Sequence, residues 1–460
     1  MNIKLISCIF IGLLYSFTVN TGAFCQTADP GSSGLRLAVF DIDATPPVGS
    51  LLAYNPEIDK WDLGLRARGI VLLGSGKPIV ICSVDWIGIA NEGQDVFRQA
   101  LADAAGTIPE RVTIHTVHQH DAPTCDFGAE KMLKDAGLDP LCFEGTFARE
   151  LIIRLKGAVQ QSLDHSEEIT HIGLGEAKVS KVASNRRIIG DDGLLKSTRY
   201  SSCKDSAIIA EPEGLIDPMV SLVSFLNAGK PVAVLSYYAT HPQSYYRTGV
   251  ANPDFPGVAR FFRQLAVPQA LHIHFNGAGG NITAGKYNDG SPENRGILAE
   301  RLADGMRRAW ENASIEPVTA DSVAWAVEPL AFPVNQNQED MGTWLKTKDP
   351  LFLSNNLSKF VWLKRSQAGK QVDLRCLSVG RARILFMPGE AFVEYQLAAK
   401  AMRPDLFVAV AAYGDYGPGY ICTAVAYKEG GYESGIASGV TSEAEGIFMT
   451  AIHKILNDKP

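Results

Sequence analysis

Apolar positions along this chain fall into two alternating patterns. Short apolar runs rich in Val and Ile predict strands at 35–42, 69–73, 79–86, 111–120, 271–275, 374–379, 382–387 and 406–413. Between them, apolar residues at helical spacing predict helices at 91–105, 143–163, 256–265, 292–309, 391–402 and 442–456. In the first helix the expected buried face is Val96, Phe97, Leu101 and Ala104. Two further apolar runs, 220–226 and 232–238, flank Asn227-Ala228-Gly229-Lys230 and predict a β-hairpin. Residues 335–372 show the least periodicity and are expected to be a surface loop or lid. No internal repeat is evident. A hairpin combined with crossover helices predicts an α/β fold, one large domain with a mixed β-sheet core flanked by helices.

The N-terminus departs from this pattern. Lys4 precedes an apolar run ending near Phe17, and small or polar residues lead to Cys25. That is the order of a secretory signal, so residues 1–25 are expected to be a signal peptide and the protein secreted or periplasmic. Lipidation at Cys25 is the rival, disfavoured by bulky Phe24. Residues 26–34 read as a tether, and 35–460 as one large domain. No later run is long enough to span a membrane. With 46% hydrophobic residues there is ample material for a core, and a net charge of −7 excludes a nucleic-acid footprint. Of eight cysteines, Cys8 and Cys25 fall in the leader. No C-x-x-C pair occurs, so a thiolate zinc cluster is not expected. Cys125 with Cys142 is the expected bridge in an oxidising compartment.

Candidate chemistry sits where predicted strands end. His118 and His120 are expected to share one face at the mouth of the 111–120 strand, in His118-Gln119-His120-Asp121-Ala122-Pro123. Two imidazoles converging at a strand end suit zinc. His115 is out of phase and expected to be structural. His241 ends another apolar strand before Pro242. Glu390 follows Pro388-Gly389 at a helix head, where a carboxylate is stabilised by the helix dipole alone. His272 and His274 alternate on a strand and form a competing metal pair. Asn276-Gly277-Ala278-Gly279-Gly280-Asn281-Ile282-Thr283 permits close backbone approach to a ligand but is no dinucleotide motif. A loop rich in phenols carries Tyr413, Tyr416, Tyr420, Tyr427 and Tyr432.

Taken in order, these segments resemble the neutral/alkaline non-lysosomal ceramidase family over about Leu35 to Glu433. The matching pieces are Asp41-Ile42-Asp43-Ala44-Thr45-Pro46-Pro47, Leu65-Arg66-Ala67-Arg68, His118-Gln119-His120-Asp121-Ala122-Pro123, Asn185-Arg186-Arg187, Thr240-His241-Pro242, Gly389-Glu390 and the Tyr420 to Glu433 loop. The resemblance implies an α/β catalytic domain with one Zn2+ held by His118, His241, Glu390 and Tyr420, the last preferred over Tyr416 by its spacing to Tyr427 and Tyr432. It further implies His120 for proton transfer, with Arg186 and Tyr432 holding the carbonyl oxygen or a substrate hydroxyl. The implied activity is zinc-dependent hydrolysis of an N-acyl amide, as in sphingolipid metabolism, on a small-molecule or lipid substrate. Two alternatives stand beside it: hydrolysis of acylated sugars or other N-/O-acyl compounds, and a non-catalytic binding protein on the same fold. Two departures bear on this. Asn281 and Thr283 stand where the family has Asp and Ser, and no counterpart of the family's further immunoglobulin-like domain is expected after the tyrosine loop.

Overall fold

The computed structural model describes residues 34–335 and 341–457. The expected signal peptide at 1–25, and all but the last residue of the tether at 26–34, lie outside them. Three mixed sheets follow one another along the chain. The first contains β1 (Arg36–Asp43), β2 (Arg66–Gly74), β3 (Gly76–Val84) and β4 (Val112–Thr116). The second contains β5 (His171–Lys178), β6 (Met219–Asn227), β7 (Lys230–Tyr238), β8 (Leu271–Asn276) and the edge strand β9 (Ser314–Pro317). The third contains β10 (Val323–Leu330), β11 (Val372–Val379), β12 (Ala382–Phe386) and β13 (Phe407–Ala411).

Each sheet is built the same way. Three strands run as an antiparallel meander, a helix crosses over, and a fourth strand pairs parallel to the third. The crossover helices are α1 (Asn91–Ala105), α3 (Asp254–Ala266) and α6 (Val393–Met402). A second helix follows each fourth strand: α2 (Thr146–Leu163), α4 (Glu293–Glu311) and α7 (Ala444–Asn457). In the first two sheets a later edge strand then pairs antiparallel to the first strand. The sequence shows no internal repeat, yet this strand order occurs three times. The repetition lies in strand order, which hydrophobic pattern and topology specify without any likeness of sequence.

The single mixed core expected from the sequence is realised as a three-sheet core. Ile70 and Ile81 from the first sheet, Val223 and Leu235 from the second, and Leu377 and Ile384 from the third are fully buried in one cluster. The opposite face of each sheet packs on its own helices. Alternation splits one strand between two cores: Ile79 and Ile81 face the shared cluster, while Val80 and Cys82 face the cluster containing α1 and α2. Strands buried on both faces read as continuous apolar runs, which is why the sequence flagged them.

Four local expectations change. Segment 335–372 is mostly helical, with Met341–Thr347 followed by α5 (Pro350–Gln367), because Asp349 caps the Phe352 N–H and Pro350 sits in the first turn. Val96 on α1 is exposed, whereas Phe97, Leu101 and Ala104 are buried as expected. All six cysteines after the leader are buried free thiols, so the expected Cys125–Cys142 bridge is absent. Strands β5 and β10 were not anticipated, since glycines and charges interrupt their apolar pattern. The hairpin is as expected, with positive φ at both Ala228 (45°) and Gly229 (85°), as a tight two-residue turn requires.

Candidate active site

Segments leaving the third and fourth strands of all three sheets line or back one cavity of about 470 Å³. All seven residues singled out from the sequence reach it: His118, His120, Arg186, His241, Glu390, Tyr420 and Tyr432. Their route there differs from expectation in one respect. Strand β4 stops at Thr116, so His118 and His120 stand in the loop beyond it rather than alternating on a strand. They share a side because the backbone reverses at His118, whose φ is 70°. A left-handed backbone at a non-glycine residue costs about 1–3 kcal/mol and persists only when neighbours fix it. Here the His118 N–H donates to Trp86 O at 2.9 Å, and its ring stacks on Tyr413 with centroids 4.2 Å apart.

Each of the two anchoring imidazoles is oriented by a carbonyl. His118 Nδ1 donates to Ile87 O at 2.7 Å, which leaves Nε2 as an acceptor. Around His241 Nδ1 lie Gly279 O at 2.8 Å, Ile282 O at 3.1 Å and Arg186 Nη2 at 2.7 Å. One nitrogen cannot donate to carbonyls and accept from a guanidinium at once. Two carbonyls against one donor put the proton on Nδ1, so His241 Nε2 also carries the lone pair. Both Nε2 atoms approach Glu390 Oε2, at 3.5 Å from His118 and 3.1 Å from His241. Acceptors thus face an acceptor. His118 Nε2, His120 Nδ1 and Glu390 Oε2 are buried and have no hydrogen-bond partner. The ligand atoms of His118, His120 and His241 lie within 4.8 Å of one another, the sole such group among the described residues. A buried convergence of lone pairs without a donor is the pattern a cation resolves.

Charge states agree with that reading. Burial, reinforced by Arg186, lowers the His241 pKa to about 4, and burial with its histidine neighbours holds His120 well below 6.5. Both rings are therefore neutral near pH 7. Burial pushes the Tyr420 phenol well above 10.

The tyrosines divide by position. Tyr416 Oη donates to Glu390 Oε1 at 2.7 Å, the carboxylate oxygen turned away from the histidines. Tyr420 Oη stands 3.4 Å from His241 Nε2, on the side where the lone pairs converge. Arg186 Nη1 donates to Tyr420 Oη at 3.2 Å and also bonds Tyr432 Oη. Arg187 grips the tyrosine loop from behind, with ion pairs to Glu433 at 3.0 Å and Glu429 at 3.1 Å. Glycines allow these loops to meet. A Cβ on Gly280 would stand 2.5 Å from Glu390 O, and one on Gly389, whose φ is 58°, 2.6 Å from Gly419 O.

Other motifs resolve into structural roles. Asn281 accepts the Val393 N–H at the start of α6 and donates to Glu394, while Thr283 Oγ1 accepts the Gly285 N–H. Neither lines the cavity. His115 is structural as expected, bonded to Ala412 O and Thr113 Oγ1. His272 and His274 lie on β8 in the interior and form no metal group. Sequence reasoning missed Tyr54, which stacks on His120 at 5.7 Å, and Tyr246, Arg247 and Lys359, which line the cavity. None carries a local signal, because each comes from a loop or helix distant in sequence.

No protein-family model matches the sequence, and no curated protein matches it significantly. Among solved structures, neutral ceramidase from Pseudomonas aeruginosa superposes with a TM-score of 0.68 at 16% identity, covering 92% of this chain and 74% of that one. A structure described as ceramidase complexed with C2 matches with the same score and coverage at 15% identity. At such identity the likeness speaks for architecture, and by that measure this chain has the neutral ceramidase fold.

Proposed function

We propose that this protein is a secreted zinc-dependent amidohydrolase that cleaves an N-acyl amide bond in the cavity at His118. One observation carries the reading: buried, unpartnered acceptor atoms of His118, His120 and Glu390 converge with His241 in a cavity that also holds the Arg186 guanidinium and the Tyr420 and Tyr432 phenols. The donor set fits zinc, with two imidazole nitrogens and two oxygen donors, so His118, His241, Glu390 and Tyr420 would hold the ion. When bound, zinc supplies Lewis acidity that activates water and polarises an acyl carbonyl at neutral pH.

The chain's own groups do the rest. His120 is neutral, buried and unpartnered at Nδ1, so it can take the proton from the attacking water and return it to the departing amine nitrogen. Arg186 stays protonated despite burial, through Tyr420, Glu433 and Glu390. With Tyr432 it can donate to the carbonyl oxygen as negative charge develops there. Tyr416 and the two carbonyls that fix the imidazole tautomers hold the ligand set rigid. Among the described residues no helix is long and apolar enough to cross a membrane; the extracytoplasmic setting rests on the signal-like order of residues 1–25.

The test is metal content together with turnover. The purified protein should carry about one zinc per chain and release fatty acid from N-acyl amines in a chelator-sensitive way. Release of acetate or fatty acid from O-acyl compounds or acylated sugars alone would move the reaction to that class. Full zinc with no turnover would leave a binding protein, and no zinc would overturn the ligand set.

A further inference from the structure

The cavity carries a charge imbalance that amide hydrolysis does not require. Three permanent cations line it, Arg186, Arg247 and Lys359, against a single carboxylate, Glu390, among the described residues. Arg186 is engaged with the hydroxyls of Tyr420 and Tyr432. The other two are not matched by any acid. Lys359, on α5, is 9% exposed, and among the described residues its ammonium donates only to the backbone carbonyl of Asn355 one turn earlier. Among the described residues it makes no ion pair, and Glu390 offsets its burial only in part. A buried ammonium without a partner is costly, which is reflected in its pKa falling from 10.5 to about 8 through burial.

Arg247 stands at the exposed mouth with its guanidinium carbon 4.9 Å from the Tyr54 ring and 5.3 Å from the Tyr246 ring. Tyr54 in turn stacks on His120. Asp121 accepts the backbone N–H groups of Arg247 and Thr248 and the Thr248 hydroxyl, and makes no ion pair with the Arg247 guanidinium. The lining also carries the polar residues Ser354, Asn355, Asn356 and Ser358 along the Lys359 segment and Gln243 near His241, with Phe143, Ile436 and Ala437 as its apolar part. A neutral, long-chain headgroup would leave these cations unanswered.

Resting on the amidohydrolase reading above, we infer that the substrate is an acylated amine bearing an acidic group, a carboxylate or sulfonate, which Lys359 and Arg247 receive. Lys359 contributes more, because its ammonium is shielded from water, whereas a contact at the exposed mouth is screened. Both are binding residues; the bond-breaking step stays with the groups at His118.

The experiment compares substrates with one acyl chain and three amines: N-acylglycine and N-acyltaurine as acids, N-acylethanolamine as the neutral control. The acids should exceed the control in kcat/KM by about tenfold or more, the range of a hydrogen bond to a charged group. Lys359→Met should collapse most of that ratio and Arg247→Met a smaller part. Lys359→Gln serves where the methionine variant fails to fold. Because the readout is a ratio within one protein preparation, general loss of activity does not affect it. A ratio separating glycine from taurine conjugates distinguishes a carboxylate from a sulfonate site. Equal rates for acidic and neutral amides, or ratios unmoved in both variants, would overturn the inference while leaving amide hydrolysis standing. If no amide is cleaved, calorimetric binding of the same compounds to the zinc-loaded protein reads the preference directly. Equal affinities would then overturn it, and the missing turnover would count against the amidohydrolase reading instead.

Discussion

The first and second sheets share one topology yet contribute to the cavity in opposite ways. In the first, the side chains come from beyond the fourth strand, as His118 and His120, and the exit of the third strand supplies a carbonyl, Ile87 O, to orient His118. In the second, His241 comes from beyond the third strand, and the exit of the fourth supplies Gly279 O to orient it. Each imidazole is thus fixed by the adjacent parallel strand of its own sheet. The third sheet uses both exits for side chains, Glu390 after β12 and Tyr413 to Tyr420 after β13. Two parallel strand ends side by side form a ready bracket for an oriented ligand, whichever strand carries the side chain.

If the two brackets are equivalent, they should fail alike. His118→Ala and His241→Ala should each take zinc from about one per chain to near zero, and activity with it, as measured by elemental analysis of purified variants. Zinc retained by one variant alone would make the brackets unequal. The sharper contrast is within one loop. His120→Ala should keep zinc yet lower kcat by about 10²–10⁴-fold, the usual contribution of a positioned acid–base. Metal loss there would put His120 among the ligands.

The orienting carbonyl of the second bracket can be disturbed without replacing a ligand. An added methyl at Gly280 would meet Glu390 O at 2.5 Å and Ala391 O at 2.9 Å, so the 276–283 turn must shift and carry Gly279 O with it. Gly280→Ala should weaken zinc binding by about 10–100-fold, the range for outer-shell partners, as read by competition with a chelator. Unchanged affinity would mean that His241 is held by the remaining contacts.

Strand positions and the candidates His118, His120 and His241 were legible because both depend on local pattern, whereas Arg186, Glu390, Tyr420 and Tyr432 were assigned roles only through the family resemblance. Runs such as Ile79-Val80-Ile81-Cys82 announce strands buried on both faces, and His241-Pro242 marks where one stops. What stayed hidden depends on contacts between distant segments. The repetition of three sheets lives in pairing order. The turn at His118 needs Trp86 O and Tyr413, which nothing near His118 reveals. Glu390 read locally as a helix-start carboxylate and is instead buried against two histidines. Lys359 lay in a segment of weak periodicity that turned out to be helix. Its role depends on the absence of acids around it, which a linear reading does not show.

The same two sheets differ least in their interiors. Each fourth strand carries a buried histidine opposite a serine of the third, His115 against Ser83 and His274 against Ser236. Burial lowers both pKa values to about 3 from an ordinary 6.5. The unfolded chain therefore takes up protons that the folded chain refuses, so stability is full above about pH 6.5 and falls as pH drops toward 3. Each group contributes up to about 1.4 kcal/mol per pH unit inside that window. His274→Gln should flatten the pH dependence of the urea unfolding free energy between pH 6 and 4 by about one proton's worth, and His115→Gln should match it. Carboxylates titrating in the same range are common to both variants and cancel in the comparison. An unflattened slope for His274→Gln would mean that this histidine holds its proton in the folded state. The Nε2 atom that now has no partner would then be a donor in search of an acceptor, and the likeness between the two strands would end at the backbone.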